Sequence, residues 1–212
     1  MKAFYLSLCF LFLLIGCQPQ ENTTNQNDVS PTNQNASENN HEDLSRFFKP
    51  DKSIAKFIGD GNEFATYTEK TTWLDKKYVG TIVDNGGVTM MNIYKIGDDK
   101  IEIIYKELVD HDATFPGLEE IKSMQPIETY FAMPIQVGTT FGNWKIVDTG
   151  ISIEIPYKTF EEVIVIEENG DNYVNRKYFA EGFGEIKSEY IMNTDQGEKY
   201  IVTSTLESIT ID

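Results

Sequence analysis

From Lys52 onward the chain repeats one pattern: short runs rich in Ile, Val, Thr, Tyr and Phe, separated by Gly, Asn and Asp. Apolar runs of this length between turn residues predict strands. In the first half the expected strands are 53–58, 63–74, 77–84, 88–96 and 100–109. Ile101, Ile103 and Tyr105 share one face of the last of these, because side chains alternate along a strand. Asn85-Gly86 reads as a type I′ hairpin turn, since both residues tolerate positive φ. Five strands joined by tight turns make an antiparallel meander.

Residues 110–126 break the pattern and carry Pro116-Gly117, with room for only a brief helix at 118–124. Strands resume at 127–133, 143–155, 159–167, 173–180, 185–192 and 199–211, which makes about eleven. Before the first strand, residues 42–48 can form one helical turn with Leu44, Phe47 and Phe48 on its apolar side, stopped by Pro50. No fixed period recurs, which excludes a propeller or a solenoid. The expected fold is all-β: an antiparallel meander curled into a barrel or half-barrel, with a disordered N-terminal tether. Closure is expected because an open sheet of that many strands exposes its edges.

The first 41 residues follow other rules. Lys2 is followed by an apolar run over 3–15, roughly 13 residues where a spanning helix needs about 20, so it reads as a signal peptide. The run ends Leu14-Ile15-Gly16-Cys17, which resembles the lipobox of bacterial lipoproteins. That resemblance implies cleavage after Gly16 and a lipid-modified Cys17 as the mature N-terminus. Two or more acyl chains anchor stably where one does not. Residues 18–41 are almost wholly Asn, Gln, Ser, Thr, Glu and Pro and cannot bury enough apolar surface to offset the entropy of ordering them. The domains are therefore read as a signal peptide at 1–16, a lipidated cysteine and Asn/Gln-rich tether at 17–41, and an antiparallel β domain at 42–212.

Charge and composition narrow the function. Against 34 acidic residues stand 18 basic ones, a formal charge of −16. Loss of residues 1–16 removes one lysine and no acid and leaves −17. Such a chain repels phosphate, so nucleic acid is excluded as a partner. Both cysteines fall within the first 17 residues, which excludes a disulfide scaffold.

Three stretches belong together: Gly59-Asp60-Gly61-Asn62-Glu63-Phe64-Ala65, Val137-Gly138-Thr139-Thr140-Phe141, and Tyr178-Phe179-Ala180-Glu181-Gly182-Phe183-Gly184-Glu185-Ile186-Lys187-Ser188. Their order and spacing resemble an uncharacterised lipoprotein family of Bacillus-like Gram-positive bacteria. The resemblance spans roughly 45–192 and implies habitat and fold but no activity. In the third stretch the two glycines supply backbone angles for a tight turn, a structural role.

Candidate chemistry is sparse. There is no G-x-S-x-G elbow and no cysteine outside the leader region. His111, in Val109-Asp110-His111-Asp112, has flanking carboxylates but no second His or Cys near it in sequence, so it reads as a loop residue. Gly182-Phe183-Gly184 lacks the third glycine and the helix of a dinucleotide fingerprint. Acid pairs occur at Glu119-Glu120, Glu161-Glu162 and Glu167-Glu168, but neighbours on a strand point to opposite faces, so adjacency does not make a glycosidase pair. No catalytic residue, cofactor or metal site is identified. Aromatics are the surplus, spread over nearly every strand and including Tyr67, Tyr94, Tyr130, Trp144 and Phe179.

The resulting reading is a non-catalytic binding module on the extracytoplasmic face of the cell membrane. Acylated Cys17 would hold it to the bilayer, and an envelope component, a partner protein or an apolar ligand would be bound. The competing reading is a cell-envelope hydrolase using carboxylates from separate strands. A deep cleft holding two buried carboxylates with raised pKa would favour the hydrolase, and a dry aromatic cavity with no convergent acids the binder. Replacing Cys17 with Ala is expected to move the chain out of the membrane fraction, and mass spectrometry of the mature wild type is expected to show added lipid. An unmodified mature mass would contradict the lipoprotein reading.

Overall fold

The computed structural model describes residues 43–193 and 197–211, all within one compact unit. The signal peptide, Cys17 and the tether lie outside the described residues. Twelve strands form a single antiparallel sheet: β1 (Ser53–Asp60), β2 (Tyr67–Asp75), β3 (Tyr78–Asp84), β4 (Thr89–Ile96), β5 (Lys100–Val109), β6 (Glu128–Ala132), β7 (Thr140–Phe141), β8 (Trp144–Glu154), β9 (Thr159–Asn169), β10 (Tyr173–Ala180), β11 (Gly184–Asn193) and β12 (Lys199–Ile211). Their order in the sheet is β6-β5-β4-β3-β2-β1-β12-β11-β10-β9-β8-β7. Two meanders, β1 to β6 and β7 to β12, are thus joined through the β1–β12 pair. The sheet curls until its edge strands β6 and β7 meet, and Phe131 and Phe141 pack across that seam with ring centroids 5.8 Å apart. The result is an all-β, nearly closed barrel.

The expected strands are present, with one addition, but Tyr105 does not share the face of Ile101 and Ile103, because the β4–β5 register shifts between Ile93 and Tyr94. β7 has only two residues, too few for any periodic pattern to show, yet it provides the second edge. β2 starts later than its apolar run because Asn62 caps a short 3₁₀ turn, Glu63–Ala65, by accepting from the Phe64 amide at 2.7 Å. Asn85-Gly86 does not form the two-residue I′ turn. Positive φ is found at Gly86 but not at Asn85, and four residues link Asp84 to its partner Thr89. The Asn85 side chain explains this, because its Oδ1 accepts from the amides of Gly87 and Val88 at 3.0 and 2.9 Å and widens the loop.

One end of the barrel is sealed. A 3₁₀ turn, Leu44–Phe47, is capped by the Asp43 carboxylate, which accepts from the Ser45 amide at 2.9 Å. It inserts Leu44, Phe47 and Phe48 into an aromatic core with Tyr94, Phe131 and Phe179. Phe47 and Phe131 lie 4.8 Å apart, and Phe131 and Phe179 5.1 Å. The β10–β11 turn closes beneath this plug: the Gly182 amide donates to Arg46 O, and a Cβ on Gly184 would stand 2.5 Å from Phe47 O. Gly182 and Gly184 both have positive φ, the backbone angles for which the tight turn uses glycine. Because β10 and β11 turn early, the β8–β9 hairpin overshoots them. It bends through Gly150 and Glu162, both at positive φ, and the Tyr157 amide reaches Leu206 O on β12 at 3.3 Å. Phe160 and Val163 from this arm form a second core with Ala55, Ile186 and Leu206.

The irregular segment after β5 matters more than its helix length suggested. It lies over the outer face of β3, β4 and β5, where α1 (Leu118–Ser123) packs Ile121 against Ile93 and Ile104. Phe115 sits so close to Gly80 that a Cβ there would come within 2.4 Å of its ring. Ile121 is only 1% exposed. Ile121→Ala is therefore expected to lower the unfolding free energy by about 2–5 kcal/mol, the range for truncating a buried isoleucine. Urea denaturation followed by circular dichroism measures this.

Candidate functional site

The opposite end of the barrel is not filled. Alternate positions on the strands point into the lumen: Tyr67 and Glu69 on β2, Met90, Asn92 and Tyr94 on β4, Asn175 and Lys177 on β10. They surround a cavity of about 620 Å³. It lies between the plugged floor and a mouth formed by residues 127–130 on one side and Gly142, Asn143 and Trp144 on the other. This volume is within the range of small-ligand sites, about 300–1,000 Å³.

The lumen is aromatic but charged as well. At the floor the Lys49 ammonium, 4% exposed, sits 2.9 Å from Glu69, donates to Glu185 O at 3.1 Å and lies 5.2 Å from the Phe57 ring centre. On the wall Lys177 pairs with Glu185 at 2.9 Å and lies over Tyr130 and Trp144, 5.5 and 5.4 Å from their ring centres. Nearer the mouth Lys106 pairs with Glu128 at 3.0 Å. Glu168 accepts from Asn175 at 2.9 Å and from Asn143 at 3.2 Å. Glu167, its neighbour, faces outward to Arg176, so adjacent acids on this strand do point to opposite faces.

Three tyrosines line this space. Burial, reinforced first by Glu185, pushes the hydroxyls of Tyr67 and Tyr130 well above the ordinary tyrosine range. Burial, with Glu69 next in size, pushes Tyr94 up as well, against a hydrogen bond with Thr81. All three remain neutral phenols able to donate. Tyr67 and Tyr130 make no hydrogen bond to a described residue, and both line the cavity.

The sequence-predicted candidates fall elsewhere. His111 is largely exposed in the loop after β5, with its Nδ1 3.3 Å from Asp84. Among the described residues no three His, Cys, Asp or Glu side chains are placed to hold a metal. Gly182-Phe183-Gly184 is the turn beneath the plug. Glu119 and Glu120 lie on α1, outside the barrel. Lys49, Glu69, Lys177 and Glu185 were not singled out by the sequence. The signal that could have found them is a charge in phase with core positions: Lys177 alternates with Phe179 on the inward face of β10. The lumen is therefore not the dry, acid-free aromatic cavity expected of the binder. Carboxylates do converge on it, each engaged by a lysine or by amides.

No protein-family model and no curated protein matches the chain. Among solved structures, it is similar to a presumed exported protein with a YmcC-like fold from Bacteroides fragilis, at 13% identity and a TM-score of 0.46. The alignment covers 77% of this chain and 98% of that one. The likeness is too remote to carry function across.

Removing Lys49 would strand Glu69 in the floor of the lumen. Lys49→Met is expected to cost about 3–5 kcal/mol, the penalty for breaking a buried pair from one side. Lys49→Met combined with Glu69→Leu is expected to regain most of that loss. A double-mutant cycle by denaturant unfolding checks both.

Proposed function

We propose that the chain is an exported, lipid-anchored binding protein. Acylated Cys17 holds it on the extracytoplasmic face of the membrane, and the barrel lumen takes up a component of the cell envelope. The lipobox-like Leu14-Ile15-Gly16-Cys17 and the family resemblance support the address. The cavity supports the activity: about 620 Å³, walled by Tyr67, Tyr94, Tyr130 and Trp144, with a mouth between residues 127–130 and 142–144. Rigid aromatics bury much area at small entropic cost, which suits a binding wall.

The hydrolase reading draws on the carboxylates of Glu69, Glu128, Glu168 and Glu185 in the same cavity. Their engagement favours binding. Glu69, Glu128 and Glu185 are each salt-bridged to a lysine, and Glu168 is clamped by two amides. A charge held by fixed partners fits a pre-formed polar wall better than a group that must exchange protons with substrate.

Native mass spectrometry tests the reading on the full chain, purified from the membranes of its own host. The expected result is a retained small-molecule mass that Tyr130→Trp, which fills the lumen, abolishes. A chain that carries no adduct, and whose Trp144 fluorescence is unmoved by its host's envelope extract, would contradict it.

A further inference from the structure

The charges of the lumen select among ligands, on the reading that the lumen is a binding site. Three lysines, Lys49, Lys106 and Lys177, face four carboxylates, Glu69, Glu128, Glu168 and Glu185. Each lysine is committed to a carboxylate within 3.0 Å, so none of the three is spare for a ligand anion. The surplus carboxylate, Glu168, stands at the mouth with only the amides of Asn143 and Asn175. An anionic group would have to pull a lysine from its partner in a chain already at −16. An acyl chain fits no better, because it would seal the hydroxyls of Tyr67 and Tyr130 from water without giving them a hydrogen bond.

What the wall offers is suited to an uncharged ligand with many hydroxyls. The phenol groups of Tyr67 and Tyr130 have no hydrogen-bond partner among the described residues, Asn92, Asn143 and Asn175 present amides, and Glu168 presents a carboxylate. Trp144 adds an aromatic ring at the mouth, a platform for the C–H face of a sugar. The shape points to a segment of a longer polymer. β7 is two residues long, so beside it the wall between residues 127–130 and Trp144 has no full strand. A Cβ on Gly142, at that gap, would meet nothing within 4 Å. A chain can lie in the lumen and leave sideways there without threading its end.

We propose that the lumen binds an uncharged glycan segment, stacked on Trp144, hydrogen-bonded to the hydroxyls of Tyr67 and Tyr130, and leaving through the gap beside β7. The test is the full chain with Cys17→Ala, applied to an array of uncharged oligosaccharides with sulfated sugars and fatty acids as comparators. Binding is expected for uncharged oligosaccharides and not for the comparators. It should change less than twofold between low and high salt, since no ion pair with the ligand is made. Trp144→Ala is expected to weaken it tenfold or more. Tyr130→Phe, which keeps the ring, is expected to weaken it about two- to tenfold, the worth of one hydrogen bond. Melting curves of both variants show that the fold is kept.

No binding to any uncharged oligosaccharide overturns the glycan proposal, and a retained adduct of another class in the native mass spectrum would then leave the lumen as a binding site. Binding that neither variant changes also overturns it, because the sugar would then sit elsewhere on the chain. Failure of both the array and the adduct removes the lumen reading itself.

Discussion

The Lys49–Glu69 ion pair is the interaction on which the architecture turns. An ammonium group that is 4% exposed carries a desolvation cost of several kcal/mol unless it is paired and hydrogen-bonded. Lys49 meets that condition only with the plug segment inside the barrel, where Glu69 of β2 and the Glu185 carbonyl of β11 both reach it. The same segment is held from the other side by Trp73, whose indole N–H donates to Lys49 O at 3.0 Å. One residue thus ties the N-terminal plug to strands from both meanders. It gives the barrel a floor, and the floor gives the cavity a closed end.

The closed end explains the asymmetry of the lumen. Towards the plug the strands contribute Phe131, Phe179, Ile101 and Ile166, and the space is filled. Towards the mouth the same inward positions carry Lys106, Asn175 and Glu168, and the space is left open. Stability and binding are thereby separated along the barrel axis. The apolar half supplies the burial that stabilises the fold, roughly 25 cal/mol per Å² of apolar surface. The polar half can vary its side chains at little cost to that burial. Phe64, Val88 and Leu108, all exposed near this end, add apolar area outside the cavity.

The fold was legible in the sequence because strands announce themselves by period. The strands β1, β3 to β6 and β8 to β12 follow runs of β-branched and aromatic residues between turn residues. Gly182 and Gly184 sit where positive φ is needed. Two things were not legible. β7 is shorter than any pattern, and it exists because Phe141 packs on Phe131 from the far edge of the sheet. The site was also hidden. Lys49, Glu69, Lys177 and Glu185 lie as far apart as 136 residues in sequence, and only closure of the barrel brings them together. Inward-facing charges look like errors in a strand pattern until their partners are placed opposite them. Cys17 is the converse case, read from a local motif alone and lying outside the described residues.

Hydrogen–deuterium exchange on the full chain, with and without a lumen ligand, tests the central claim most directly. The account predicts slow exchange at Phe48, whose amide donates to Ser45 O in the plug, in both states. It predicts that the ligand adds protection at residues 127–130 and 142–144, around the mouth. A plug that exchanges as fast as an unfolded peptide, or new protection confined to the sealed end, would contradict it.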